Sequence, residues 1–249
     1  DQKHYARAAL ELQRGLALQP DSVDLLLNLA QLYELLQQRP RTMRLLLRAA
    51  AMHPDNASVR YTLGLFSTRL KRHHQAMHAY LIAVQLDPGN DRYLFGLGAS
   101  YYEVRNYPAT FAAMKATLKI NPQHANALNL LGYAYAEKGI HLDEAVASIK
   151  RSLLQEPNNG AFIDSLGWAY YKLGRLSKAL DLLEQAAHLV PDDPVVHDHL
   201  GDVYRRLEQR DAALNAWRRS LEIKTDAEVQ RKLEDLERTL RLKRDQAAQ

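Results

Sequence analysis

Two phase-locked combs of glycine and proline constrain this chain more than any other feature. Gly64, Gly98, Gly132, Gly167 and Gly201 fall 34 or 35 residues apart, and Pro20, Pro54, Pro88, Pro122, Pro157 and Pro191 keep the same spacing. Two registers held over most of a chain imply stacked copies of one supersecondary unit, not a single folded core. Within residues 160–193, Ile163, Leu166, Gly167 and Tyr170 recur at helical spacing and Gly174 breaks the segment. Ala179, Leu183 and Ala186 then define a second helical face. Pro191 stops that face, and Asp192 or Asp193 is placed to cap the next helix. Each unit reads as helix–turn–helix.

Composition adds exclusions. The chain has 249 residues, 47% hydrophobic and 25% charged, which excludes whole-chain disorder. The absence of cysteine excludes a disulfide framework, a thiolate zinc site and a cysteine nucleophile. No apolar run approaches the roughly 18 residues of a membrane span, and no signal peptide opens the chain, although it starts at Asp1 without Met. Residues 1–124 hold 15 Lys or Arg against 9 Asp or Glu, while residues 125–249 hold 18 against 20. The charge is divided between two ends, which argues against a nucleic-acid footprint over the whole chain.

Leu166-Gly167 with Tyr170, then Ala179, Ala186 and Pro191, resemble the tetratricopeptide repeat. The pattern recurs as Leu29-Ala30, Tyr33 and Ala49; Leu63-Gly64, Ala76, Tyr80 and Ala83; Leu97-Gly98, Tyr101 and Thr117; Leu131-Gly132, Tyr135, Ala145 and Ser152; and Leu200-Gly201, Tyr204, Ala213 and Trp217. The small residues let paired helices approach closely. Pro40 and Pro108 are expected at the first residue of a second helix, where a missing N–H costs nothing. The resemblance implies an all-α, right-handed superhelical solenoid. Its parts are a half repeat at 1–22, full repeats at 23–56, 57–90, 91–124, 125–159, 160–193 and 194–227, a capping helix at 228–244 and a tail at 245–249.

The two ends differ. Residues 1–19 carry only a second helix, with Ala8, Leu12 and Gly15 before Pro20. Leu10, Leu12, Leu16 and Leu18 would lack a partner on the N-terminal side. The chain is therefore expected to be the C-terminal piece of a longer array. At the other end, Thr225-Asp226-Ala227-Glu228 reads as a capping box. Val229, Leu233, Leu236 and Leu240 form one apolar stripe on a charged helix, as a solvating cap requires.

Catalytic motifs are absent. There is no P-loop, H-E-x-x-H or G-x-S-x-G, and Gly96-Leu97-Gly98 reads as helix packing because Tyr101 takes the third glycine position of a dinucleotide fingerprint. No catalytic residue, metal ligand or cofactor is expected. His74 and His78, with His73 beside them, read as solvated outer-face residues. His197, Asp198, His199 and Asp202 cannot converge on one ion as a set, and His197 is expected buried and hydrogen-bonded in a packing slot. Arg7, Arg14, Arg41, Arg44 and Arg48 form an outer stripe without interleaved aromatics, which reads as a solvated face and not a nucleic-acid site.

In arrays of this family the first helices line the inner wall, through the second, fifth, ninth, twelfth and thirteenth positions of each repeat. Carried over, these positions give Leu27, Gln31 and Glu34, then Tyr61, Leu65 and Arg69, then Arg92, Phe95, Ala99 and Tyr102. Asn126, Asn129, Tyr133 and Glu137 follow, then Asp164, Trp168, Tyr171 and Lys172, then Asp198, Asp202, Arg205 and Arg206. Aromatic residues on such a wall supply stiff contact area. Asn126 and Asn129 suit a peptide backbone, and Asp164, Asp198 and Asp202 would favour Lys or Arg on a ligand. Tyr33, Tyr101, Tyr135, Tyr170 and Tyr204 lie in a different phase and are expected in the core. Only Asn129 matches in kind the family's carboxylate clamp, which disfavours capture of chaperone C-terminal tails. The asparagine ladder of glycosyltransferase arrays is missing too.

The expected function is a non-enzymatic adaptor that holds a peptide or helix of another protein. The alternatives are a spacer or a module self-associating through its N-terminal helix, and a substrate-delivery arm for a catalytic domain elsewhere. The last two repeats resemble the closing repeats of bacterial tetratricopeptide proteins, which implies an adaptor of the periplasm or envelope, with the cytoplasm as the alternative.

Overall fold

The computed structural model describes residues 2–247, with side chains for residues 4–242 and 246. Among these residues every regular element is an α-helix. The chain divides into two compact units, residues 1–122 and 123–249.

The first unit holds α1 (Gln2–Leu18), α2 (Val23–Leu35), α3 (Arg39–Met52), α4 (Ala57–Arg69), α5 (His73–Leu86), α6 (Asp91–Glu103) and α7 (Tyr107–Ile120). The second holds α8 (Ala125–Lys138), α9 (Leu142–Gln155), α10 (Gly160–Lys172), α11 (Leu176–Leu189), α12 (Pro194–Arg206), α13 (Arg210–Ile223) and α14 (Ala227–Ala247). Within each unit the helices pair as hairpins, and successive hairpins stack.

One rule closes each hairpin. Gln37, Lys71, Arg105, Gly139, Gly174 and Glu208 all have positive φ. The residue after each donates its N–H to a carbonyl five residues earlier: Tyr33, Ser67, Tyr101, Tyr135, Tyr170 and Tyr204, at 2.7–3.1 Å. That is the bond that ends a helix with a left-handed residue. The 35-residue spacing is absorbed in one turn, where Gly139 and His141 both take positive φ.

Each first helix from α2 to α12 is opened by a side chain that accepts a backbone N–H: Ser22, Asn56, Asn90, His124, Asn159 and Asp193. α14 is opened by Asp226, whose carboxylate accepts from the N–H groups of Glu228 and Val229. The cap thus falls on Asp226 and not Thr225, because the helix starts at Ala227. That helix also runs past the expected end at 244; residues 248 and 249 of the expected tail lie outside the described residues. Pro40 and Pro108 sit at the second residue of α3 and α7, one later than expected, where the N–H is equally free of an intrahelical partner.

The glycine comb marks helix–helix contact. A Cβ on Gly64 would lie 2.6 Å from the Tyr80 ring, and one on Gly167 would lie 2.8 Å from Leu183 Cγ. In the first unit Leu26, Leu29, Leu46 and Val59 are buried in one cluster, joined by Leu16 of α1. Leu16 is thus covered from the C-terminal side, while Leu10 and Leu18 of α1 stay exposed. In the second unit Val229, Leu233 and Leu236 pack with Trp217 and Leu214, and Leu240 is partly buried against them.

Candidate functional site

The first helices of each unit lie side by side, so equivalent positions form a row. In the first unit that row runs over α2, α4 and α6. Tyr61 is half-buried, its ring 4.9 Å from Tyr93 and 5.7 Å from Tyr80, and the Arg92 guanidinium lies over it at 5.3 Å. Phe95 and Tyr102 are also half-buried, and Tyr102 meets Tyr107 edge-on at 5.9 Å. Between α2, α3 and α4 opens a recess of about 560 Å³. Leu27, Leu46, Leu65 and Phe66 line it together with Gln31, and Arg69 donates to Glu34 at its rim. This recess was not a sequence expectation. Repeat phase puts Leu27, Gln31, Glu34, Leu65 and Arg69 on the inward face, but it does not show that they enclose a space.

In the second unit the row runs over α8, α10, α12 and α14. Asn126 is exposed. Asn129, one turn on, is half-buried, and its Oδ1 has no hydrogen-bond partner. Tyr133 is half-buried, its ring 6.2 Å from the His199 ring. Asp164 and Trp168, expected on an accessible wall, are 5% and 7% exposed. The His199 imidazole donates from Nδ1 to Asp164 Oδ1 at 2.9 Å and stacks on Trp168 with centroids 4.0 Å apart. Trp168 donates from Nε1 to Glu137 at 2.9 Å, stacks on Tyr171 at 4.8 Å and lies beneath the Lys172 ammonium at 5.0 Å. These residues close the space between neighbouring first helices.

Asp198 and Asp202 are also engaged within the chain. Lys232 of α14 donates to both at 2.8 Å. Burial depresses the Lys232 pKa, but Asp202 and Asp198 outweigh that and raise it. Burial, helped by the neighbouring charge of Asp202, pushes the Asp198 carboxyl up against the pull of Lys232. Burial likewise lowers the His199 imidazole, yet Asp164, by charge and hydrogen bond, with Asp198 and Asp202 by charge, raises it overall. Arg205 and Arg206 are exposed. With Tyr171, Asp202 and Lys232 they line a recess of about 370 Å³.

The histidine expectation is corrected. The buried histidine is His199; His197 is half-exposed, and its Nε2 lies 2.9 Å from the Pro191 carbonyl oxygen. The fourth position of a repeat is a packing slot when apolar, as at Ile163. A polar residue there instead reaches back to the proline carbonyl of the preceding turn, as Arg60 does to Pro54. Among the core-phase tyrosines, Tyr33, Tyr135 and Tyr170 are buried, whereas Tyr101 and Tyr204 are only partly so. His74 and His78 are exposed. Among the described residues no three His, Asp or Glu side chains group closely enough to hold a metal ion, and no helix is long and apolar enough to cross a membrane.

Known proteins resemble this chain in sequence and in fold. One tetratricopeptide repeat model matches residues 44–91 and 95–161, and a second matches residues 141–198; together they cover more than half of the chain. The TPR repeat-containing protein PA4667 of Pseudomonas aeruginosa is 38% identical over 78 residues, which is 31% of this chain and 13% of that protein. The matched stretch is thus a small part of its relative. The Cut9–Hcn1 hetero-tetramer of the APC/C superposes on 95% of this chain and 46% of its own, with a TM-score of 0.81 and 20% identity. YrrB, described as a TPR protein with an unusual peptide-binding site, covers 74% of this chain and 95% of its own, with a TM-score of 0.59 and 18% identity. Matched helical hairpins, their close-contact glycines and the family models agree: this chain belongs to the tetratricopeptide repeat family.

Proposed function

We propose that this chain is a non-enzymatic adaptor that holds a segment of another protein against the row formed by its first helices. Tetratricopeptide arrays are scaffolds for protein–protein interaction, and that coarse role comes with the family. The observation that carries the finer reading is Asn129. Its amide oxygen is buried without a partner, and a buried acceptor left unpaired is costly. It stands beside exposed Asn126 and half-buried Tyr133 on the same face. Turned outward about its side-chain torsions, the amide would meet a backbone N–H of a bound segment, and the Tyr133 ring would give that segment apolar contact. YrrB, similar in fold, has a peptide-binding site by its description, which supports the same reading. A random dodecapeptide library displayed on phage should yield binders to the full chain. N129A and Y133A, and F95A for the first unit, should each lower their affinity while helicity and melting hold. Binders indifferent to all three substitutions would refute the wall as the site.

A second reading is favoured by α1, where Tyr5, Leu10 and Leu18 are exposed apolar side chains. Self-association through this helix would cover them. Sedimentation velocity over a wide concentration range should then show a dimer that L10E/L18E abolishes; a monomer throughout would refute it.

A further inference from the structure

We propose that the α12 end of the second unit's row is a carboxylate-accepting site, so that the partner segment seated there is acidic. This rests on the wall-binding reading above and reverses the charge preference that the sequence suggests.

The three aspartates of this face are answered from within the chain. Asp164 is paired with His199, and Asp198 and Asp202 with Lys232. What remains open is positive. Arg205 and Arg206 are exposed, and among the described residues neither has an ion-pair partner. Each guanidinium is instead placed by a ring: Arg206 lies over Tyr171 at 5.5 Å and Arg205 over Trp217 at 6.0 Å. A ring orients a planar cation without neutralising it, so the N–H fork stays available to a carboxylate. Both arginines line one recess with Lys232 and Asp202. That recess has three cations nearby against the two aspartates, and both aspartates already share the lysine.

The same geometry disfavours nucleic acid. Single-strand binding needs rings on which bases stack. Here Tyr171 already carries Arg206 and Trp168, and Trp168 carries His199. Asp198 and Asp202 would also repel a continuous phosphate chain, whereas an acidic side chain can reach Arg205 and Arg206 alone.

The test pans the random dodecapeptide library against the full chain and against R205Q/R206Q and R205E/R206E. Circular dichroism checks that these exposed substitutions leave the fold intact. The wild type should enrich Glu and Asp, and the neutral variant should bind the enriched peptides roughly tenfold more weakly. The reversed variant should enrich Lys and Arg. Binding should weaken as salt is raised from about 0.05 M to about 0.5 M. Peptides that bind the wall without acidic enrichment, or with affinity indifferent to both variants, would overturn the acidic site and leave the wall reading standing. No peptide binding at all would overturn both. Displacement of bound peptide by an equal concentration of single-stranded oligodeoxythymidine would overturn the assignment to protein carboxylates.

Discussion

Replacing Gly132 by Ala tests the packing logic of the hairpins. The added Cβ would lie 2.7 Å from the Ala145 carbonyl oxygen and 2.6 Å from Ile149 Cγ1. Ile149 is fully buried, and the oxygen belongs to the backbone of α9, so neither can turn away. α8 and α9 must separate by several tenths of an ångström along their contact. Overpacking of this kind costs about 1–3 kcal/mol, and contact with a backbone atom places this site near the upper end. Alanine returns about 1 kcal/mol through its better helix propensity. The net destabilisation is about 2 kcal/mol, which corresponds to a fall in Tm of roughly 4–8 °C. Gly139→Ala is the control. Its Cβ would meet nothing within 4 Å, but φ is +66°, so the cost is the left-handed penalty of about 1 kcal/mol. Thermal melts followed by circular dichroism should rank Gly132→Ala as the more damaging, with hydrogen exchange accelerated in α8 and α9. The reverse ranking, or a Gly132→Ala protein as stable as the parent, would refute the close-approach argument.

Three other outcomes follow from the site. The His199 pKa is raised above its ordinary 6.5 by Asp164, helped by Asp198 and Asp202, with the Trp168 and Tyr133 rings also facing it. The pair therefore contributes fully below about pH 6.5, and its contribution is lost as pH rises through the raised folded value. Asp164→Asn should cost about 3 kcal/mol at pH 6 and flatten that pH dependence in urea titrations. Lys232→Ala leaves Asp198 and Asp202 without their shared cation; about 2 kcal/mol of destabilisation is expected, with faster hydrogen exchange in α14. Asp226→Ala removes the acceptor of two N–H groups and should cost about 1 kcal/mol, read as fraying of α14 by exchange. Because those bonds lower the Asp226 pKa, its contribution is present above pH 3.8 and is lost as pH falls through the folded value.

The all-α hairpin architecture was legible because its punctuation is local and repeated. Gly167 must be small where Leu183 crosses it, and Val229, Leu233, Leu236 and Leu240 needed only helical spacing to mark the capping stripe. Repeat phase also puts Asp164, Asp198 and Asp202 on one side of their helices. It does not say whether a neighbour already answers them. His199 lies 35 residues after Asp164, and Lys232 lies 34 after Asp198, so one partner comes from the next hairpin in the stack and the other from the capping helix. Comparing charges one period apart would have found both pairs. Repeat phase left Trp168 two roles, wall contact or packing between neighbouring first helices, and the ring is large enough to bridge two first helices and takes the second. The first-unit recess needed the actual separation of α2 and α4, which no periodicity encodes.

The central claim is that the first-helix faces grip a protein segment. Hydrogen exchange of the full chain, with and without a saturating dodecapeptide selected from the phage library, tests it most directly. The account predicts slower exchange in α8, α10 and α12, or in α4 and α6, with the second helices α9, α11 and α13 unchanged. Protection confined to those second helices would contradict it.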